Sequence, residues 1–239
     1  CGHRDATRCG ELIFCIVCAH AAYIECIHCY EIMNSQTRLF TIDGPIGALE
    51  VAVDEPAGEC KGVAVVAHPH PLFGGSLSNK VVQTLARACV QSGWRAVRFN
   101  FRGVGHSAGE HDNGQGERDD LLAVVQSQAP DGPLCLAGFS FGAFVTSHAV
   151  QQLHPARELS KLMLVGTAAS RFTVAPIASE LHDRTLVVHG EVDDTVPLAS
   201  VLDWARPQHL PVTVIPGVAH FFHGQLPLLK ALALRHLKA

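Results

Sequence analysis

Charge is scarce in this sequence. Asp, Glu, Lys and Arg make up 17% of 239 residues, the net charge is −4, and no long basic run occurs. Nucleic acid and anionic membrane surfaces are therefore not expected as partners. No internal repeat or low-complexity linker interrupts the chain, and the 48% hydrophobic content argues against disorder. The length fits one domain with a sizeable core. Cysteine is sparse after Met33, where only Cys60, Cys89 and Cys135 remain. Cys89 and Cys135 fall in apolar helix and strand patterns, where a thiol behaves as a small hydrophobe. That distribution fits a reduced, cytoplasmic protein. No metal is expected, because His68 and His70 have no evident third ligand. No cofactor is expected, because Gly103-Val104-Gly105 completes no dinucleotide fingerprint.

The remaining cysteines, Cys1, Cys9, Cys15, Cys18, Cys26 and Cys29, all precede Met33, the first methionine. From Met33 to Ala239 the pattern reads as one complete domain. Residues 1–32 read as an extension foreign to the fold. There are two alternatives. Cys15-x-x-Cys18 and Cys26-x-x-Cys29 have the residue types of a tetrahedral zinc site, although the seven residues between the pairs are apolar and few. Leu12 to Ile24 resembles a secretion-signal core behind Arg4 and Arg8, although Glu25 interrupts any membrane span.

After Met33, short apolar runs alternate with amphipathic stretches. Strands are expected at Arg38–Ile42, Ala48–Val53, Gly62–Ala67, Arg95–Phe99, Leu134–Ala137, Leu162–Val165, Thr185–Val188 and Val212–Ile215. The first two form an antiparallel edge hairpin. Helices are expected to follow Ser76 or Ser78 as caps, to span Glu117–Gln128, to follow Ser140, to span Leu198–Ala205, and to close the chain near Leu237. The acidic residues of Glu117-Arg118-Asp119-Asp120 read as helix-dipole partners. This alternation predicts an α/β fold: a doubly wound, mostly parallel sheet with helices on both faces. No inserted lid fits between the strands, and at most Ala168–Asp183 forms a short flap.

In such sheets, functional groups sit in loops at the carboxyl ends of strands. Gly138-Phe139-Ser140-Phe141-Gly142 lies between an apolar run and a helix, the context of a nucleophile elbow. A serine hydroxyl needs a base, and that base needs a carboxylate to orient it. His220 follows a strand on a Pro-Gly turn, and Asp193 follows another, giving the chain order Ser140, Asp193, His220. Asp194 competes with Asp193 but is also placed to cap the next helix. The N–H of Phe141 is one expected oxyanion donor. The second comes from the loop after the third strand, where Pro69 and Pro71 have no N–H and His70 and Leu72 are the candidates. The side chains of His68 and His70 either line the pocket or brace that loop. Arg102 and Ser107 are expected to fix the loop after Phe99.

Three segments carry a family resemblance: His68-Pro69-His70-Pro71-Leu72-Phe73-Gly74-Gly75-Ser76 with Asn79-Lys80-Val81-Val82, Arg98-Phe99-Asn100-Phe101-Arg102-Gly103-Val104-Gly105, and Gly138 to Gly142. They resemble a bacterial group of small, lidless serine hydrolases of the α/β-hydrolase superfamily, related to dienelactone hydrolases. The latter use a cysteine nucleophile, so Ser140 favours ester or thioester hydrolysis over lactone opening. The resemblance implies that Ser140, Asp193 and His220 act as nucleophile, acid and base. The expected activity is hydrolysis of small, soluble carboxylic esters through an acyl-enzyme. The alternatives are a thioesterase or peptidase-like hydrolase on the same triad, or a non-catalytic binding protein of this fold.

Overall fold

A strand buried between two helix layers has apolar neighbours on both faces, so its sequence is a continuous apolar run. The structure, a computed structural model, describes residues 36–238. The extension, zinc and signal readings of residues 1–32 lie outside the described residues.

The strands are β1 (Arg38–Gly44), β2 (Gly47–Asp54), β3 (Val63–Ala67), β4 (Arg95–Phe99), β5 (Leu134–Phe139), β6 (Leu159–Val165), β7 (Thr185–Gly190) and β8 (Val212–Ile215). They form one eight-stranded sheet in the order β1-β2-β4-β3-β5-β6-β7-β8. The β1–β2 hairpin occupies one edge and joins antiparallel to β4, and every pairing beyond it is parallel. The helices are α1 (Lys80–Gln91), α2 (Gln115–Gln128), α3 (Phe141–Leu153), α4 (Leu198–Ala205) and α5 (Leu226–Lys238).

Side chains alternate across β5 with the period of two that a strand imposes. Cys135 and Ala137 pack with Val81, Leu85 and Cys89 of α1 and Leu229 of α5. Leu134 and Leu136 pack on the opposite face with Leu121 of α2, Val145 of α3 and Val201 of α4. Helices therefore cover both faces, as the alternation requires. Among the described residues, no helix is long and apolar enough to cross a membrane.

Some local assignments differ from expectation. Asn79 caps α1 in place of Ser76 or Ser78: its Oδ1 accepts from the N–H groups of Val81 (2.9 Å) and Val82 (3.4 Å). The two serine hydroxyls bond each other instead, at 2.8 Å. Helix α2 starts at Gln115, and the buried Glu117 folds back to accept from the N–H groups of Asp112 (2.9 Å) and Gly114 (2.8 Å). Asp120 is not a dipole partner. It accepts from the Arg102 N–H at 2.9 Å and grips the guanidinium through Nε (3.0 Å) and Nη2 (2.7 Å). Ser107 Oγ donates to the Asn100 carbonyl at 2.7 Å, so Arg102 and Ser107 do fix this loop.

His68 does not line the pocket. It is fully buried, its Nδ1–H donates to the Pro69 carbonyl at 2.6 Å, and its Nε2 accepts from the Phe101 N–H at 3.0 Å. The ring clamps the loop after β3 to the end of β4. Burial drives its pKa from 6.5 down to about 3, so it is neutral in the folded protein. The unfolded chain takes up this proton below pH 6.5 and the folded protein does not. Stability is therefore complete above pH 6.5 and falls as the pH drops toward 3. His68 alone is expected to contribute a slope of about 1.4 kcal/mol per pH unit. Urea unfolding between pH 7.5 and 4.5 measures this, and a flat profile would contradict a neutral, buried His68.

Candidate active site

The turn from β5 into α3 holds Ser140 at φ 57 and ψ −115. A residue with a Cβ rarely adopts that conformation, and the surroundings must enforce it. The Ser140 N–H donates to the Val165 carbonyl at 2.8 Å, and its own carbonyl accepts from the Ala143 N–H at 3.0 Å. The flanking glycines are required by space. A Cβ at Gly138 would run into the carbonyl of Gly142, and one at Gly142 would meet the carbonyls of Ala67 and His68. The elbow is thereby pressed against the end of β3 with its hydroxyl at the tip.

The loops after β7 and β8 bring two further groups to that hydroxyl. His220 Nε2 lies 3.0 Å from Ser140 Oγ, and His220 Nδ1 lies 2.7 Å from Asp193 Oδ2. The other Asp193 oxygen accepts from the N–H groups of Thr195 (3.0 Å) and Val196 (2.7 Å). Burial raises the pKa of Asp193, but hydrogen bonds from His220 and Val196 outweigh it and hold the carboxyl below its usual value. Asp193 is thus an ionised acceptor facing His220. Asp194 is exposed, 3.4 Å from the Thr195 hydroxyl, and the cap position of α4 is Pro197 with no side-chain cap. Asp193 is therefore the partner of His220, and the capping role expected of Asp194 is not seen.

The imidazole of His220 rests on the ring of Phe139, with centroids 5.0 Å apart, and against Phe221 at 5.1 Å. Gly166, at φ 54, admits that ring: a Cβ there would lie 3.3 Å from its Cε1. The buried Phe222 anchors the loop, while Phe221 is exposed at the cavity. Sequence reasoning did not single out His189. Its ring is buried behind the carboxylate, with Nε2 3.4 Å from Asp193 Oδ2 and donating to the Val196 carbonyl at 2.9 Å. Burial lowers its pKa and favours the neutral form.

Ser140 and His220 open into a cavity of about 230 Å³. Phe141 is the first residue of α3, where an N–H has no partner within the helix. His70 lines the cavity, packed on Phe141 at 4.8 Å and His111 at 4.6 Å. Burial, followed by the nearby His111 and Arg171, holds His70 below its ordinary pKa. Leu72 is turned away: it is 69% exposed, and its N–H donates to His70 Nδ1 at 3.3 Å. The proposed second oxyanion donor is therefore narrowed to His70.

Phe172 and Arg171 also line the cavity. They come from the segment read only as a short flap. It is tied down, not loose. Phe172 stacks on Phe144 with centroids 4.6 Å apart, the Ala175 N–H donates to Ser147 Oγ at 3.0 Å, and Trp204 Nε1 donates to the Ala175 carbonyl at 3.2 Å. Nothing in the local pattern marks these residues. The available signal is their place after β6, at the carboxyl edge of the sheet. Among the described residues, no group of three or more His, Cys, Asp or Glu side chains is arranged to hold a metal ion.

The fold matches those of known proteins. A lidless α/β serine hydrolase of Xanthomonas campestris superposes with a TM-score of 0.75 at 38% identity, over 87% of this chain and 96% of that one. The chain belongs to the α/β serine hydrolases. A family model described as serine aminopeptidase, S33, matches residues 61–182 of this hydrolase, a span that contains Ser140 but stops before Asp193 and His220. An α/β serine hydrolase homologue of Coxiella burnetii superposes on the hydrolase with a TM-score of 0.72 at 37% identity, over 84% of this chain and 97% of that one. An uncharacterised protein of Rickettsia prowazekii is 37% identical over 114 residues, 46% of this chain. The hydrolase spans about half the length of that relative, 48%.

Proposed function

We propose that this hydrolase cleaves small carboxylic esters through an acyl-enzyme. The observation that carries this reading is the hydrogen-bonded line Asp193–His220–Ser140 opening into a small cavity. Ser140 Oγ attacks the acyl carbonyl and His220 Nε2 takes its proton. Asp193 fixes the imidazole tautomer and stabilises its charge. The N–H of Phe141, with that of His70, stabilises the oxyanion. His220 then protonates the departing alcohol, and water attacks the acyl-enzyme by the reverse steps to release the acid.

The test is covalent. A fluorophosphonate probe is expected to label the protein at Ser140 with one-to-one stoichiometry and to abolish p-nitrophenyl acetate hydrolysis, while Ser140→Ala takes no label. A folded protein that hydrolyses no ester and takes no label would instead be a binding protein of this fold.

A peptidase reading follows from the description of the matching family model. An aminopeptidase needs an anionic group to receive the substrate's ammonium. No Asp or Glu lines the described cavity, and its one ionic side chain besides the histidines is Arg171. That favours ester over aminoacyl substrates, and the comparison of p-nitrophenyl acetate with alanine p-nitroanilide decides between them.

A further inference from the structure

The chemistry proposed for Ser140 and His220 gives the cavity two ends. His220 must protonate the departing oxygen, so the alcohol part of an ester faces His220 and Phe221. The acid part is left the remainder of the lining, which includes His70, Phe141, Phe172 and Arg171.

That part of the lining is one-sided in its polar chemistry. The Arg171 side chain is exposed at the cavity and has no ion-pair or hydrogen-bond partner among the described residues. Other arginines of the domain are matched: Arg98 by Asp54, Arg102 by Asp120, Arg118 by Asp119, and Arg206 by Asp203. Asn79 and His70 add donors rather than acceptors. Asn79 Oδ1 is committed to the start of α1, which leaves its Nδ2 hydrogens for the cavity. His70 Nδ1 accepts from the Leu72 N–H, so the neutral ring carries its proton on Nε2. Phe141 and Phe172 add aromatic surface. An ammonium would find no carboxylate in this lining, whereas a carboxylate would find a guanidinium matched to it in shape and charge.

We infer that Arg171 is a specificity-determining residue and that the hydrolase is built for esters whose acyl chain carries a second, free carboxylate, the half-esters of short dicarboxylic acids. The inference rests on the ester-hydrolase reading above. The backbone around Arg171 supports it. The Arg171 N–H donates to the Ala168 carbonyl at 3.2 Å and the Phe172 N–H to the same carbonyl at 3.1 Å, and the Phe172 ring is wedged against Phe141 and Phe144. The guanidinium is thus presented from a fixed turn.

The experiment compares p-nitrophenyl monoesters of succinate, glutarate and adipate with the uncharged butyrate, pentanoate and hexanoate esters of equal chain length. The measured quantity is the ratio of kcat/KM for the charged over the uncharged ester. Wild type is expected to favour the charged ester at one or more lengths, with the ratio falling as salt is added. Arg171→Ala is expected to lower the ratio roughly tenfold, through KM more than kcat, because the contact is remote from the reacting atoms. Arg171→Lys should keep most of the preference and Arg171→Glu should reverse it. Arg38→Ala, the same charge change away from the cavity, should leave the ratio as in wild type. Fluorophosphonate labelling of Ser140 confirms that each variant is folded. A ratio unchanged between wild type and a labelled Arg171→Ala overturns the inference and leaves the ester-hydrolase reading standing. Absence of both labelling and ester turnover in wild type removes that reading, and this inference with it.

Discussion

Replacing His220 with alanine is expected to lower kcat for p-nitrophenyl acetate by a factor on the order of 10⁴ to 10⁶. Among the described residues, the side-chain partner of the Ser140 hydroxyl is His220 Nε2 at 3.0 Å, the base of the proposed mechanism. Asp193→Asn is expected to cost a factor on the order of 10⁴ by a different route. Asp193 Oδ1 is held by the N–H groups of Thr195 and Val196, so the amide oxygen of asparagine must occupy that position. Its NH₂ then faces His220 Nδ1, which can only accept. The ring's proton moves to Nε2, and the imidazole can no longer take the proton of Ser140. In the proposed mechanism the two residues act together, so the double variant is expected to be little slower than His220→Ala alone. Steady-state kinetics with titrated active sites check all three. An Asp193→Asn enzyme within tenfold of wild type would show that the tautomer is not set by this carboxylate.

The second large effect is on stability. Arg98 and Asp54 have fully buried side chains and meet at 3.1 Å, with Arg98 Nη1 also donating to the Leu77 carbonyl at 2.9 Å. The pair ties β4 to the edge hairpin and to the segment that leads into α1. Asp54→Ala strands a guanidinium in a dry site, at a cost of about 3–5 kcal/mol. That is a large share of the 5–15 kcal/mol typical of a folded domain. Arg98→Met with Asp54→Leu removes both charges and should recover most of the loss. Urea midpoints of the two variants against wild type measure it. A loss below about 1 kcal/mol for Asp54→Ala would mean that another group or water reaches Arg98.

The sequence reveals the layout of this domain because its strands are short and doubly buried. The expected limits of β4, α4 and β8 coincide with the observed ones, and the other strands differ by a few residues at their ends. The Ser140, Asp193 and His220 positions were equally legible, since each follows a strand and their order along the chain is distinctive. What stayed hidden depends on side-chain reach rather than pattern. Asn79 rather than a serine caps α1 because the helix starts at Lys80, which puts Asn79 and not Ser76 or Ser78 at the cap position. His68 and His70 look alike in sequence, yet one is locked between two backbone groups and the other lines the cavity. Arg171 and Phe172 have no periodicity to betray them, because the turn after β6 places them and not a helix or strand face. Residues 1–32 lie outside the described residues.

The order of strands also spreads the site across the sheet. Ser140 rides on β5 near the middle of the sheet, whereas Asp193 and His220 follow β7 and β8 at the far edge. Helix α5 then returns across the sheet to pack beside α1. The Ser140–His220 contact therefore spans 80 residues of chain, and it depends on the last strand, β8, being paired with β7.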